Sequence, residues 1–403
     1  MFQPLKGLRV IDLTQVLAGP YATYQLALLG AEVIKVENPD GGDWTRASQS
    51  LPGHENQQLG TNFLTQNANK KSVAINLKTA QGLAVLKQLV ASADIFVENY
   101  RPGTAAKLGL SFDEVKAVND KIVYCSMSAY GQDGPLSHRP AYDHVVQGMC
   151  GIMQSTGTAD TTPNKVGSPY IDYATGMNGA FAMTNAVHQV RLTGEAVHID
   201  VAMLDSAMLL MSSMLTQSLS LGMEHHANGN AAFSGSPSSG AFETTDGTLM
   251  VAANNERQFA SLCKGLDRTD ILQDKRWSTL QGRSENADSL RAEIAARIKT
   301  NSAQHWESKL DKELVPAARV RGITEVLNED HLQARGLMVG MKMEGSEVAA
   351  FVPTLGFKAN GEVTAPQRAP VRLGADTDAV LDELGITADQ IAALKSAGVI
   401  KSA

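Results

Sequence analysis

Between residues 8 and 126, short apolar runs alternate with stretches of helical period, and few architectures accommodate that order. Strands are expected over 8–13, 32–37, 72–77, 94–98 and 122–126, with helices over 21–29, 79–91 and 104–117 between them. Repetition of this kind builds a parallel sheet covered by helices. A long helix over 174–191, a turn at Thr193-Gly194-Glu195, a strand over 196–202 and a Met/Leu-rich helix to about 221 extend the same pattern. The methionines of that helix (Met203, Met208, Met211, Met214) read as core filler.

Composition changes near Gly222. His225, His226, Asn228, Gly229 and Asn230 lead into Ser234-Gly235-Ser236-Pro237-Ser238-Ser239-Gly240, a boundary followed by a loop. A hairpin over 241–253 turning at Thr245-Asp246-Gly247 follows, then charged amphipathic helices to about 312. From about 330 the chain returns to short strands (349–352) and ends in two helices, 378–384 and 388–397. The expected fold is α/β: a Rossmann-like parallel-sheet large domain over 1–222, a smaller α+β domain over 223–329, and a C-terminal segment, 330–403, returning to the large domain.

The 403 residues, 43% hydrophobic and 19% charged, suffice for a large core. A net charge of −7 with interspersed signs leaves no basic stripe for nucleic acid, so any polyanionic ligand must be met by local Lys and Arg. The longest apolar stretch, 201–215, is cut by Asp205 and falls short of the roughly 20 residues that a membrane span needs. Cys125, Cys150 and Cys263 lie far apart in sequence without CxxC or Cys/His spacing, as reduced core thiols of a cytoplasmic protein would. No metal is expected: His225 and His226 form a pair without further ligand spacing. No signal-peptide pattern opens the chain. Glu37 closes the second strand as a ribose-binding acid would, but the turn after the first strand is Gln15-Val16-Leu17-Ala18-Gly19-Pro20 rather than G-x-G-x-x-G, which argues against a dinucleotide.

Asp172 is the candidate nucleophile. Pro169 disfavours helix just before it, and the helix read over 174–191 begins just after it, so Asp172 falls at or beside a helix N-terminus. Free N–H groups and the positive end of the dipole there are expected to keep the carboxylate ionised at neutral pH. The alternative role is an N-cap.

Several segments together resemble one family: Gly7-Leu8-Arg9-Val10-Ile11-Asp12-Leu13-Thr14 with Ala18-Gly19-Pro20, Leu29-Gly30-Ala31-Glu32-Val33-Ile34-Lys35-Val36-Glu37, Asn69-Lys70-Lys71-Ser72, Val97-Glu98-Asn99-Tyr100-Arg101-Pro102-Gly103, Tyr130-Gly131-Gln132-Asp133-Gly134-Pro135, Tyr142-Asp143 and Asp200-Val201-Ala202-Met203-Leu204-Asp205. The chain resembles the class III CoA-transferases of the formyl-CoA transferase and carnitine CoA-transferase type. The resemblance implies Asp172 as an aspartyl nucleophile that forms a mixed anhydride and then an aspartyl-CoA thioester. It implies CoA binding at Gln15, Val16, Leu17, Ala18, Ile75, Lys78, Asn99, Tyr100, Lys107 and Met203. A covering loop at Gly235, Ser236, Ser238, Ser239 and Gly240 and an acyl-pocket hydroxyl on Tyr142 are implied as well. Gln15 and Leu17 stand where formyl-CoA transferase has His and Gln, and Asn38 stands for its adenine-side Arg; Arg46 and Lys71 offer themselves as replacement cations. An interlocked homodimer, acyl-CoA and carboxylic acid as substrates, and no permanently bound cofactor or metal are also implied. Succinyl-CoA is the expected donor and a small dicarboxylic acid the expected acceptor, with Arg46, Arg139 and the loop serines open as partners for a distal carboxylate.

Two other readings belong beside this one. The α-methylacyl-CoA racemases of the same superfamily carry Gly-His-Asp where this chain has Ala141-Tyr142-Asp143, so the acid–base His is absent and His144 is the nearest substitute. A CoA-binding protein without turnover would keep the loops and dispense with Asp172.

Overall fold

The computed structural model describes residues 2–54, 58–343 and 345–403. The chain divides into two compact units, 1–153 with 165–225 and 331–403, and 154–164 with 226–330. Residues 154–164, inside the span 1–222 read as one domain, therefore belong to the second unit.

The first unit is built on a seven-stranded sheet. Strands β1 (Arg9–Asp12), β2 (Glu32–Glu37), β3 (Lys70–Ile75), β4 (Ile95–Glu98), β5 (Val123–Ser128) and β6 (Val197–Ala202) are parallel and lie in the order β3-β2-β1-β4-β5-β6. Alternate residues feed two cores. Ile11, Ile34, Val73, Phe96 and Tyr124 face one layer of helices, and Val10, Val33, Ile95, Val97 and Cys125 face the other. Burial on both faces accounts for the near-continuous Val/Ile runs of the central strands. The short strand Ile400–Lys401 pairs antiparallel with β3 and covers that edge, a pairing that no sequence period announces.

Helix α1 (Ala18–Leu28) follows β1, and α2 (Asp143–Cys150), α3 (Tyr170–Thr193), α4 (Met203–Leu210) and α5 (Ser212–Leu221) complete the layer around the site. The helix read over 104–117 is two, Thr104–Lys107 and Phe112–Val118, because Gly109 takes φ +73° and Ser111 opens a new helix with a capping box to Glu114. The Met/Leu-rich helix likewise breaks at Met211. Helix α2 was not expected from sequence at all, although Asp143 in its first turn, Val146 and Cys150 one turn apart, and Gly151 at φ +93° past its end are ordinary helix signals.

The second unit holds a three-stranded antiparallel sheet, Gly240–Glu243, Thr248–Val251 and Ala317–Arg319. The expected hairpin forms, Thr244 N–H donating to Gly247 O across its turn. Helices Glu256–Gly265, Ala287–Ile298 and Ala303–Lys312 pack over it through Phe259, Leu290 and Trp306. Among the described residues no helix is long and apolar enough to cross a membrane, and no group of three His, Cys, Asp or Glu has the arrangement of a metal site. Cys125, Cys150 and Cys263 are buried free thiols.

Candidate active site

The strand order reverses direction at β1. From there the chain winds outward to β2 and β3 on one side and, through β4, to β5 and β6 on the other. The loops leaving the carboxyl ends of β1 and β4 therefore diverge and leave a crevice, the place where open α/β sheets bind ligands. A cavity of about 330 Å³ lies there, walled by Gln15–Ala18 after β1, Asn99–Pro102 after β4, Met127–Ala129 after β5, Arg139–Tyr142, and Asp172, Thr175 and Met203.

The loop after β1 is fastened peptide by peptide. Thr14 N–H donates to Asp12 Oδ1 at 2.9 Å and Thr14 O accepts from Lys35 Nζ at 2.5 Å. The Asn99 side chain takes Gln15 N–H at 2.9 Å and donates to Gln15 O at 2.8 Å. Val16 N–H points to the Asp43 carboxylate at 3.3 Å, and Val16 O accepts from Gln66 Nε2 at 2.6 Å. Held on both sides, Val16 sits at φ +76°, a left-handed conformation that costs a β-branched residue about 1–3 kcal/mol. Val16 and Leu17 also wall a second cavity of about 500 Å³, with Trp44, Gln66, Pro169 and Tyr173. The 16–17 backbone is thus a partition between two cavities that flank the start of α3.

Asp172 is the third residue of α3, so the helix begins earlier than 174 and Asp172 is not its cap. The N-cap position is Pro169, which offers no side-chain acceptor. The N–H groups of Ile171 and Asp172 donate instead to Asp143 Oδ2 in α2, at 2.8 and 3.1 Å. Gln147 Nε2 donates to Asp143 Oδ1 at 2.6 Å, and its own Oε1 accepts Val166 N–H at 2.8 Å. Asp143 and Gln147 are both buried. No hydrogen bond reaches the Asp172 carboxylate among the described residues. Burial, and then the Asp143 carboxylate beside it, push Asp172 up to about 7. The expectation that the helix dipole keeps Asp172 ionised at neutral pH is therefore corrected. With a value of about 7, Asp172 takes up a proton far more readily than an ordinary aspartate. Gly176, one turn on, has no room for a side chain: a Cβ there would lie 2.7 Å from Ala18 O, so glycine lets α1 and α3 close around the cavity.

Of the residues singled out from sequence, Gln15, Val16, Leu17, Ala18, Asn99, Tyr100, Met203, Tyr142 and Asp172 meet at this cavity. Tyr142 is exposed rather than buried. Ile75 is not there: it packs in the sheet core, and Lys78 and Lys107 are exposed outside the lining. Arg46 is no replacement cation, since it is buried in a two-pronged pair with Glu37 (2.7 Å each) and stacked on Phe63. Lys71 pairs with Glu32 and Glu383. Ser236 and Ser238 donate to Ala253 O, and Ser239 to Asn254, within the second unit, where Gly235 lines a cavity with Ser236 and Ser238 and Gly240 opens the first strand. Sequence reasoning missed Arg101, Thr175 and the part played by Asp143. Arg101 and Arg139 both stand on the lining, and neither guanidinium forms an ion pair or hydrogen bond among the described residues. No histidine lines the cavity; His144 is exposed, its ring parallel to that of Tyr142 at 6.4 Å.

Fold and cavity define an α/β protein with an unpaired carboxylate at the switch point of a parallel sheet. Residues 5–377 match the family model described as CoA-transferase family III, and the chain belongs to that family. It is 34% identical over 401 residues to succinyl-CoA:glutarate CoA-transferase of Homo sapiens, covering 99% of this chain and 90% of that protein. It is 35% identical to succinate–glutarate CoA-transferase of Agrobacterium fabrum, covering 87% and 88% of the two. A CAIB/BAIF family protein from Brucella suis superposes with a TM-score of 0.83 at 30% identity, over 95% of this chain and all of that one. The protein is an enzyme of the CoA-transferase type.

Proposed function

We propose that the enzyme moves CoA from succinyl-CoA to a short dicarboxylic acid of the glutarate class through covalent intermediates on Asp172. The observation that carries this reading is the Asp172 carboxylate itself, without a hydrogen bond, destabilised by burial and by Asp143, and opening on the switch-point cavity. The carboxylate attacks the thioester carbon and the C–S bond breaks, giving a mixed anhydride and CoA thiolate. The thiolate then attacks the aspartyl carbonyl carbon, releasing succinate and leaving an aspartyl-CoA thioester. The acceptor carboxylate repeats the two steps in reverse and frees Asp172. Each intermediate is an acyl derivative of similar energy, so the exchange needs no outside energy source.

Arg139 is the residue we assign to the distal carboxylate of the dicarboxylic acid, since it is the member of the open set with an uncommitted cation on the lining. Arg101 on the lining, with Lys78 and Lys107 beyond it, is left for CoA phosphates. The 234–240 loop is the segment we propose to exclude water. A homodimer is supported by the large apolar side chains that the first unit leaves exposed on α3, α4 and α5, including Met177, Phe181, Leu209, Leu210 and Leu219. A racemase reading lacks an acid–base histidine on the lining.

The test is peptide mass spectrometry after incubation with succinyl-CoA and borohydride or hydroxylamine trapping. The expected result is an adduct or reduced product on the Asp172 peptide, absent in Asp172→Ala, together with a loss of turnover of at least about 10⁴-fold. An unlabelled Asp172 peptide with α-proton exchange into deuterated water would replace this reading by the racemase.

A further inference from the structure

We infer that Asp143 is a positioning residue for Asp172: a buried carboxylate, fixed by Gln147, that ties down the first turn of α3 and so sets where the Asp172 carboxylate points and which charge it faces. The inference rests on the proposed role of Asp172 and deepens it.

Three features separate Asp143 from an ordinary cap. First, it acts from another helix. Asp143 Oδ2 receives two of the N–H groups that a helix start leaves free, one of them the N–H of Asp172 itself. Second, it is locked. Gln147, one turn along α2 and fully buried, holds Oδ1 at 2.6 Å and reaches Val166 N–H at 2.8 Å, so one pair of side chains fastens the chain on both sides of Pro169. Third, its chemistry exceeds what capping needs. Asn, Ser or Thr would cap as well without placing a second carboxylate beside Asp172, and no Lys, Arg or His bonds Asp143 among the described residues. A buried like-charge pair is expensive to keep for structural ends alone. The other titratable groups around the pair are Tyr170 and Tyr173 of α3 and Cys150 of α2, with Tyr100, Arg101, Arg139 and Tyr142 on the cavity wall.

The experiment compares Asp143→Asn, Asp143→Ala and Gln147→Leu with the wild type. Asparagine keeps the volume and an acceptor for the two N–H groups, at the expense of the Gln147 bridge to Val166. Carbodiimide coupling to the Asp172 peptide, which reads the protonated carboxyl, is followed against pH by mass spectrometry and needs no turnover. In Asp143→Asn we expect its midpoint to fall by about one pH unit or more, and the acid limb of kcat/KM for succinyl-CoA to move the same way. In Asp143→Ala and Gln147→Leu we expect kcat to fall tenfold or more while KM for succinyl-CoA changes less than threefold. Variants that lose Tm but keep the wild-type midpoint, pH profile and kcat would overturn the inference and leave Asp143 a structural cap. A wild type without transferase activity would sink the proposed function, whereas the coupling midpoint would still decide this one.

Discussion

Asp12 and Asp172 are two carboxylates of the same unit, both largely out of solvent, with opposite surroundings. Asp12 ends β1 among Lys70 Nζ at 3.1 Å and the hydroxyls of Thr14 and Thr23. Burial pushes it up, but Lys70, Lys35 and the two hydroxyls outweigh burial and bring it to about 2. Asp172 meets no cation and no donor, and burial with Asp143 carries it to about 7. The same side chain is a fixed anion in one place and a poised one in the other, and neighbours rather than depth decide which. The satisfied carboxylate serves to hold the loop that walls the cavity. The unsatisfied one faces into it.

The sharpest way to break this contrast is to strip Asp12 of its partner. Lys70 Nζ also donates to Pro20 O and Thr23 Oγ1 at 2.8 Å, so Lys70→Met leaves a buried carboxylate and two acceptors without their cation. The expected loss is about 3–5 kcal/mol in guanidinium unfolding. Because Asp12 is held below its ordinary value, its contribution is present above about pH 4 and is lost as pH falls toward 2, so the variant and the wild type should converge in acid. A loss under about 1 kcal/mol would mean that Lys35 and the two hydroxyls satisfy Asp12 without Lys70.

Asp172 should respond with the opposite sign. Its folded value lies above the unfolded one, so the folded protein binds the extra proton between about pH 4 and 7, and stability falls as pH rises through that window. Asp172→Asn removes the buried charge at constant volume. The rise from 3.8 to about 7 sets a ceiling of about 4 kcal/mol on the gain, and a gain of about 1–3 kcal/mol is expected above pH 8. It should vanish below about pH 4, where both side chains are neutral. Thermal melts of this variant at pH 4 and pH 8 check this. A variant less stable than wild type at pH 8 would place a stabilising partner on the Asp172 carboxylate and undo the comparison.

Much of this was legible in the sequence, for physical reasons that also explain what was not. The six parallel strands announce themselves because burial on both faces demands near-continuous apolar runs such as Val33-Ile34 and Val73-Ala74-Ile75. The Asp172 position could be read from Pro169 and the helix that follows. Its electrostatics could not, because they depend on Asp143, 29 residues earlier in the chain, and no local period links two helices across a layer. Arg46 was misassigned for the same reason: an arginine reads as a free surface cation until the fold brings Glu37 and Phe63 against it. Cations such as Arg139 and Arg101 stand out only once the fold shows Arg46 and Lys71 paired elsewhere.

The finest test concerns the loop that Asp12 supports. If the left-handed turn at Val16 is imposed from outside by Asp43, Asn99 and Gln66, the valine side chain is not what holds it, and glycine should adopt the same backbone. Val16→Gly relieves native strain while adding freedom to the unfolded chain, two effects of about 1 kcal/mol each that oppose one another. The net change in stability is therefore expected to stay within about 1 kcal/mol, with kcat kept to within about threefold. Asp43→Ala should do more harm, because it strips a partner from Lys35, whose amino group holds Thr14 O on the same loop. Were Val16→Gly the worse of the two, the side chain facing both cavities would be part of the substrate surface, and the clamp beneath it only scaffolding.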